Sequence, residues 1–452
     1  MQHDNRGLAL STVSADAAHA LSEAAESFIG QKLDTMTHVN AALVSDPGCV
    51  LAHLIKGLLI VSVRLPSRYP EARAELEAAT EYGDANDRER GYIAALYALL
   101  DGQVLEAVSH YEILLQAYPR DLLAHRLVQL DLFWIGESAW MRNIIERAAP
   151  VWSGAIPGFA HFQALRAFGN EENGFYEDAE RYGRDSIERD PTNGWGAHTV
   201  AHVMEMQGRH SDGIAWLDGL KDHWAGLNNF VHHLWWHRSL FHLMRGEYDA
   251  ILDIYDRHIR NPESPLIRAN PGHYGDFQNC VDVLKHLDMF GQDVGTRWEP
   301  VADIAEDRIG NHAAPLSSAQ VATALAAAGR DSGVETYLSA LREFAATDET
   351  NNAARVRTAV LPAAEGAIAH QRGQHQRVLD ILIPARRSLW QIGGSHAQRN
   401  IFTQMLADSA QHLGRQDVVD LLVEEMTQRG FEKPAERLMF TGEMDAGKVA
   451  IH

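Results

Sequence analysis

Cysteine is scarce: Cys49 and Cys280 are the only two in 452 residues. A disulfide-stapled scaffold and a CxxC metal knuckle are therefore excluded, and unpaired thiols suit a cytoplasmic protein. Basic clusters are lacking as well. Forty Lys and Arg stand against 61 Asp and Glu, a formal net charge of -21, which repels nucleic-acid backbones and anionic lipid. The nearest approach to a basic patch, Arg386-Arg387, is a pair at a helix end, where cations complement the helix dipole. Long apolar runs are absent too. The stretch 58–63 is too short to span a bilayer, and the opening Met1-Gln-His-Asp-Asn-Arg-Gly7 carries no basic-then-apolar leader. No GxGxxG or GxxxxGK[ST] fingerprint supports nucleotide chemistry. Nucleic-acid and membrane partners are not expected.

What the chain does have is helical periodicity almost from end to end, rich in Ala, Leu, Gln, Glu and Arg, all good helix formers. The expected fold is all-α. Tyr118-Pro-Arg-Asp121, Arg189-Asp-Pro191-Thr-Asn193 and Arg260-Asn-Pro262 interrupt the pattern, since proline just past a helix cannot continue it. Small residues recur at fixed distances before these prolines: Ala95 and Ala107 before Pro119, Ala167 and Ala179 before Pro191, and Ala250 before Pro262. The interval fits two units each of roughly 34 residues, the tetratricopeptide (TPR) period. A lone helical hairpin cannot bury its apolar face, so neighbours stack into a superhelix. The expected architecture is an α-solenoid of TPR-like hairpins closed around a central pocket. Further hairpins fit at 45–82, 122–152, 317–345, 358–389 and 396–429. The prolines at 262, 265, 271 and 300 mark an interruption. The expected organisation is an N-terminal arm and first helix (1–44), helical repeats (45–260), an irregular insertion or pair of irregular helices (261–315), and C-terminal repeats (316–452).

Chemistry concentrates in three places. Gly194-Trp195-Gly-Ala-His198-Thr-Val-Ala-His202-Val-Met-Glu205 sets two imidazoles and a carboxylate along one side of a helix, because residues three and four apart are neighbours. His232-His233-Leu-Trp235-Trp236-His237, followed by His242, repeats the i, i+4 spacing beside aromatic faces that suit a flat or cationic ligand. The two tryptophans lie about 100° apart around a helix and cannot both face one core. Gly393-Gly394-Ser395-His396-Ala-Gln-Arg399 joins a tight turn to a helix start, where Ser395 caps or, with Arg399, the backbone amides receive an anion. His198 and His202 have the spacing of adjacent metal ligands, with Glu205 or Asp276 as an oxygen donor, but the intervening residues are not those of HExxH. Metal ligation, hydrogen bonding to a pocket ligand, and packing that merely stiffens the helices all remain open for these histidines. His110, His125, His258, His370, His375 and His412 lack such company and read as surface or packing residues.

These segments resemble the tetratricopeptide repeat protein 38 family. The resemblance rests on Ala197-His198, Ala201-His202-Val-Met-Glu205-Met-Gln-Gly-Arg209, Trp235-Trp236-His237, Leu240-Phe241-His242, Gly246-Glu247, Arg297-Trp298 and Ile392-Gly-Gly-Ser-His396-Ala-Gln-Arg399. Gly7 to Thr12 and Asp46-Pro47 extend it to the start of the chain. It implies a closed, strongly wound helical-repeat fold and little about activity. Where relatives carry Asp-x-His, this chain reads Pro315-Leu-Ser317-Ser318-Ala319-Gln320, so a site residue is missing or exchanged there.

The functional expectation is an enclosed His/Trp/Asp-lined pocket that binds a small organic molecule and transforms it by acid–base chemistry, as a hydrolase or lyase. Its candidate catalytic groups are His198, His202, Glu205, His233, His237, Asp276 and His396. In that account one histidine removes a proton, a second or Glu205 returns one, and Asp276 fixes a tautomer. Trp195, Trp235, Trp236, His242 and Arg399 are the candidate ligand-binding residues. Two alternatives stand beside it: a non-catalytic TPR scaffold for a peptide or protein partner, and a metal-dependent enzyme using His198 and His202. No cofactor is required by the first reading, a divalent transition metal by the last, and a homo-oligomer is compatible with all three.

Overall fold

A computed structural model describes residues 2–81 and 84–441, and it is all-α. Among the described residues, strands are confined to the pair Gln2–His3 and Ala9–Leu10. No described helix is long and apolar enough to cross a membrane. The chain divides into two compact units. The first comprises the described parts of 1–133, 137–199 and 223–228, and the second those of 134–136, 200–222 and 229–452. The end of the expected 45–82 hairpin, Tyr82, and the last part of the expected C-terminal repeats, 442–452, lie outside the described residues.

Each unit is a helical-repeat array of antiparallel helix pairs. In the first, Asp87–Leu100 begins at a capping box, Asn86 accepting from the Glu89 amide while the Glu89 side chain accepts from the Asn86 amide; such a cap satisfies two orphan donors. Its buried Tyr92, Leu96 and Leu99 face Val108, Tyr111 and Leu115 of Val104–Ala117, with the Tyr92 and Tyr111 rings edge-on at 6.2 Å. Gly57 allows Val50–Ser62 to approach, since a Cβ there would stand 2.7 Å from Leu96. Buried Arg88 is held by Asp121, Nε to Oδ2 2.6 Å, and Tyr92 donates to the same carboxylate at 2.8 Å.

One turn joins the helices of successive pairs. At Gly102, Gly136, Gly174, Gly208 and Gly246 the backbone is left-handed. The amide after each glycine donates to a carbonyl five residues earlier, as in Gln103 to Ala98, Arg209 to Met204 and Glu247 to His242. This is the Schellman helix ending, which favours glycine because no Cβ is strained. These glycines fall at intervals of about 34 to 38 residues, and Gly329, Gly373 and Gly414 repeat the turn in the C-terminal part. The expected hairpins at 122–152, 317–345, 358–389 and 396–429 correspond to the helix pairs Leu122–Ile135 with Ser138–Ala148, Pro315–Ala327 with Asp331–Thr347, Leu361–Gln371 with His375–Ala385, and His396–His412 with Gln416–Gln428.

The stretch 261–315 is more regular than its prolines suggest. It contains Tyr274–Met289, a 16-residue helix with almost every side chain buried, which packs in the second unit against Phe230–Leu243, Pro315–Ala327 and His396–His412.

Candidate functional site

The helix Tyr274–Met289 is interior yet polar: Asp276, Gln278, Asn279, Asp282, Lys285 and His286 are all buried. A buried polar group must find a partner to repay its lost hydration. Asp276, Asn279 and Asp282 recur every three residues and therefore line one face, and Phe230–Leu243 supplies the matching groups. His232 Nδ1 lies 2.8 Å from Asp276 Oδ1, and Asn229 donates to Oδ2 at 2.6 Å. His233 Nδ1 lies 2.8 Å from Asn279 Oδ1, and Trp236 Nε1 donates to Asp282 Oδ2 at 2.7 Å. Burial alone would raise the Asp276 carboxyl; hydrogen bonds from His232 and His273 outweigh it and bring the group down to about 2.

Three imidazoles meet beside this ladder. His202 comes from Gly194–Met206 and His233 and His237 from Phe230–Leu243; each offers a donor atom within 4.8 Å of the others'. The His202 and His237 rings are 4.4 Å apart, centre to centre, and those of His233 and His237 are 4.9 Å apart. Trp236 stacks on His233 at 4.7 Å. His202 and His237 are fully buried. Desolvation pushes His233 down to about 4, the Asn279 hydrogen bond opposing and the nearby His202 assisting, and it pushes His237 lower still with help from His202 and His233. His233 and His237 are thus neutral at pH 7, and donation of the His233 Nδ1 proton to Asn279 makes Nε2 its lone-pair nitrogen. His198, one turn earlier on the same helix, belongs to the first unit. A group of neutral imidazoles is a donor set for zinc, copper, nickel or iron.

The other expected site residues are placed elsewhere. Glu205 does not join the imidazole group: it receives Arg437 Nη1 at 3.1 Å, while Nη2 donates to the Glu205 carbonyl at 2.6 Å. This ion pair borders a cavity of about 10 Å³ also lined by His286, Asn400 and Gln404, room for about one water and not for an organic substrate. Asp276 orients His232 and not one of the expected histidines. His396 and Arg399 face each other at 3.3 Å, and Arg399 also donates to the carbonyls of Gly393 and Gly394. Ser395 and Gln398 form a capping box, so this helix start is closed by its own side chains. His242 engages Glu247 at 2.6 Å. Trp235 stacks on His258 at 3.7 Å, away from the Trp236 face as the helical angle requires. Trp195 belongs to the first unit, stacked on His198 at 4.7 Å with the Arg126 guanidinium 4.2 Å from its ring centre.

His232, Asn279 and Asp282 were not among the expected site residues; the spacing of Asp276, Asn279 and Asp282 was the available signal. In the segment Pro315–Gln320, Ser317 accepts from Gln278 at 2.8 Å. A scan of the chain against protein-family models gives no match.

Proposed function

We propose that the chain is a metal-dependent helical-repeat enzyme: His202, His233 and His237 hold a divalent transition-metal ion that serves hydrolysis or elimination on a small organic molecule. The observation that carries this reading is the convergence of three imidazole nitrogens within 4.8 Å of one another. Three imidazoles with an open position are the donor set of hydrolytic zinc sites, and a fourth would close the site. A bound ion of this kind acidifies a coordinated water and polarises a carbonyl oxygen. In this reading Asn279 fixes the His233 tautomer, Trp236 holds the ring plane, and His232, oriented by Asp276, accepts or returns a proton. The same motifs support membership of the tetratricopeptide repeat protein 38 family, since Ala201-His202 and Trp235-Trp236-His237 are the segments that build the group.

A second reading, acid–base chemistry without a metal, is favoured by the 2.8 Å contact between His232 and Asp276, an arrangement that orients the ring and fixes its tautomer. Metal analysis separates the two. Under the first reading the purified chain, equilibrated with zinc and desalted, retains an ion that His237→Ala and His202→Ala both lose. Equal retention by all three proteins refutes it. Under the second, His232→Gln abolishes turnover with metal content unchanged.

A further inference from the structure

A second group of ligating side chains lies far along the sequence from the first. His375 opens the helix His375–Ala385, and Asp408 and His412 sit one turn apart at the end of His396–His412. Each contributes a donor atom within 4.8 Å of the others'. The His375 and His412 rings are parallel at 4.2 Å. Asp408 Oδ2 takes a 2.8 Å hydrogen bond from His370 Nε2, while Oδ1 stands 3.5 Å from His412 Nδ1. His412 Nδ1 also meets the Asp408 carbonyl at 2.9 Å, and His375 Nδ1 lies 3.2 Å from Ser409 Oγ.

We infer that His375, Asp408 and His412 form a second, solvent-facing site for a divalent transition ion. Two imidazoles and one carboxylate are a standard donor set for zinc and related ions, with the remaining positions left to water. Three features favour it. The ligands come from two packed helices, so a bound ion clamps them. The carboxylate is held from behind by His370 Nε2 at 2.8 Å, and a held carboxylate needs no ordering when the ion arrives. The carbonyl end of His396–His412 adds negative potential, partly offset by the amide start of the His375 helix. The outward position of His412 opens the site to exchange, unlike the buried imidazole group.

Cobalt(II) titration of the full chain, followed by its visible d–d bands, tests the site. One equivalent bound by the wild-type chain is expected to be lost, or weakened at least about tenfold, in His375→Ala, His412→Ala and Asp408→Asn, whatever happens at His202 and His237. Without any variant, cobalt is expected to broaden the imidazole resonances of His375 and His412 in the histidine-labelled chain. His370 acts only through Asp408: His370→Ala should shift the cobalt band maximum and weaken binding, and His370→Gln should restore both. Superimposable titrations of wild type, His375→Ala and His412→Ala, or unbroadened His375 and His412 resonances, overturn the inference.

Discussion

Lowering the pH of the metal-free chain should unfold its second unit well before ordinary carboxylates titrate. His233 protonates near 6.5 in the unfolded chain and near 4 in the folded one, and His370 behaves alike. In both, desolvation is the leading cause. The unfolded state therefore binds more protons between those values, so stability is complete above pH 6.5 and falls as pH drops toward 4. The gap corresponds to about 3 kcal/mol for each ring, lost at about 1.4 kcal/mol per pH unit. His237, held lower still, adds to the slope. His286 has the opposite sign: the Asp282 carboxylate overcomes desolvation and raises it, so its contribution is present below 6.5 and is lost only above that value. Asp276, depressed from 3.8 to about 2, keeps its contribution until the pH falls below 3.8. The window from 6.5 to 4.5 thus belongs to the buried rings. Urea unfolding with a chelator present, followed by tryptophan fluorescence at pH 7, 6 and 5, should show a falling midpoint. His233→Gln should flatten the dependence by about 1.4 kcal/mol per pH unit. A midpoint constant from pH 7 to 5, or an unchanged slope in His233→Gln, refutes the reasoning.

Zinc at a hundredfold excess over its dissociation constant should stabilise the chain by about 2.7 kcal/mol at pH 7.5, raising the melting temperature by roughly 3–5 °C in differential scanning fluorimetry; no shift argues against the imidazole centre. Trp236→Phe removes the indole donor from buried Asp282 and should cost about 1.5–3 kcal/mol, read from the urea midpoint, with a loss under about 0.5 kcal/mol contradicting a structural role for the bond. Arg437→Met leaves buried Glu205 without its guanidinium and should cost about 3–5 kcal/mol, most of it recovered in the Glu205→Met, Arg437→Met double variant; equal stabilities of the single and double variants count against the pairing.

The helix pairs were legible because their signals are local. Prolines end helices and small residues mark close approaches, both within one unit of sequence. The glycine at each Schellman turn is an equally local marker, and Gly102, Gly136, Gly174, Gly208 and Gly246 give the period more directly than the prolines do. At the site, the i, i+4 spacing pointed to His233 accompanying His237, whose rings lie 4.9 Å apart. Nothing local, however, tells Glu205 that its partner is Arg437 or brings His375 to Asp408 and His412. Those contacts are made by the stacking of repeats.

The helix Tyr274–Met289 was hard to read for a different physical reason: the prolines and glycines around it mark an insertion or a pair of irregular helices. Of its polar residues Asp276, Gln278, Asn279, Asp282 and Lys285, the sequence reading singled out Asp276 alone. In the folded chain all five are buried. An apolar helix of the same volume would serve packing as well or better, because paired buried polar groups seldom repay their full desolvation against apolar replacements. Asp276, Asn279 and Asp282 instead meet His232, His233 and Trp236 one after another, beside three rings whose nitrogens converge. Departure from the cheapest core is expected at a functional site, and here that departure has a definite product. It holds His233 in one tautomer and orients His232 and Trp236, which is the preparation a ligand-binding imidazole group requires.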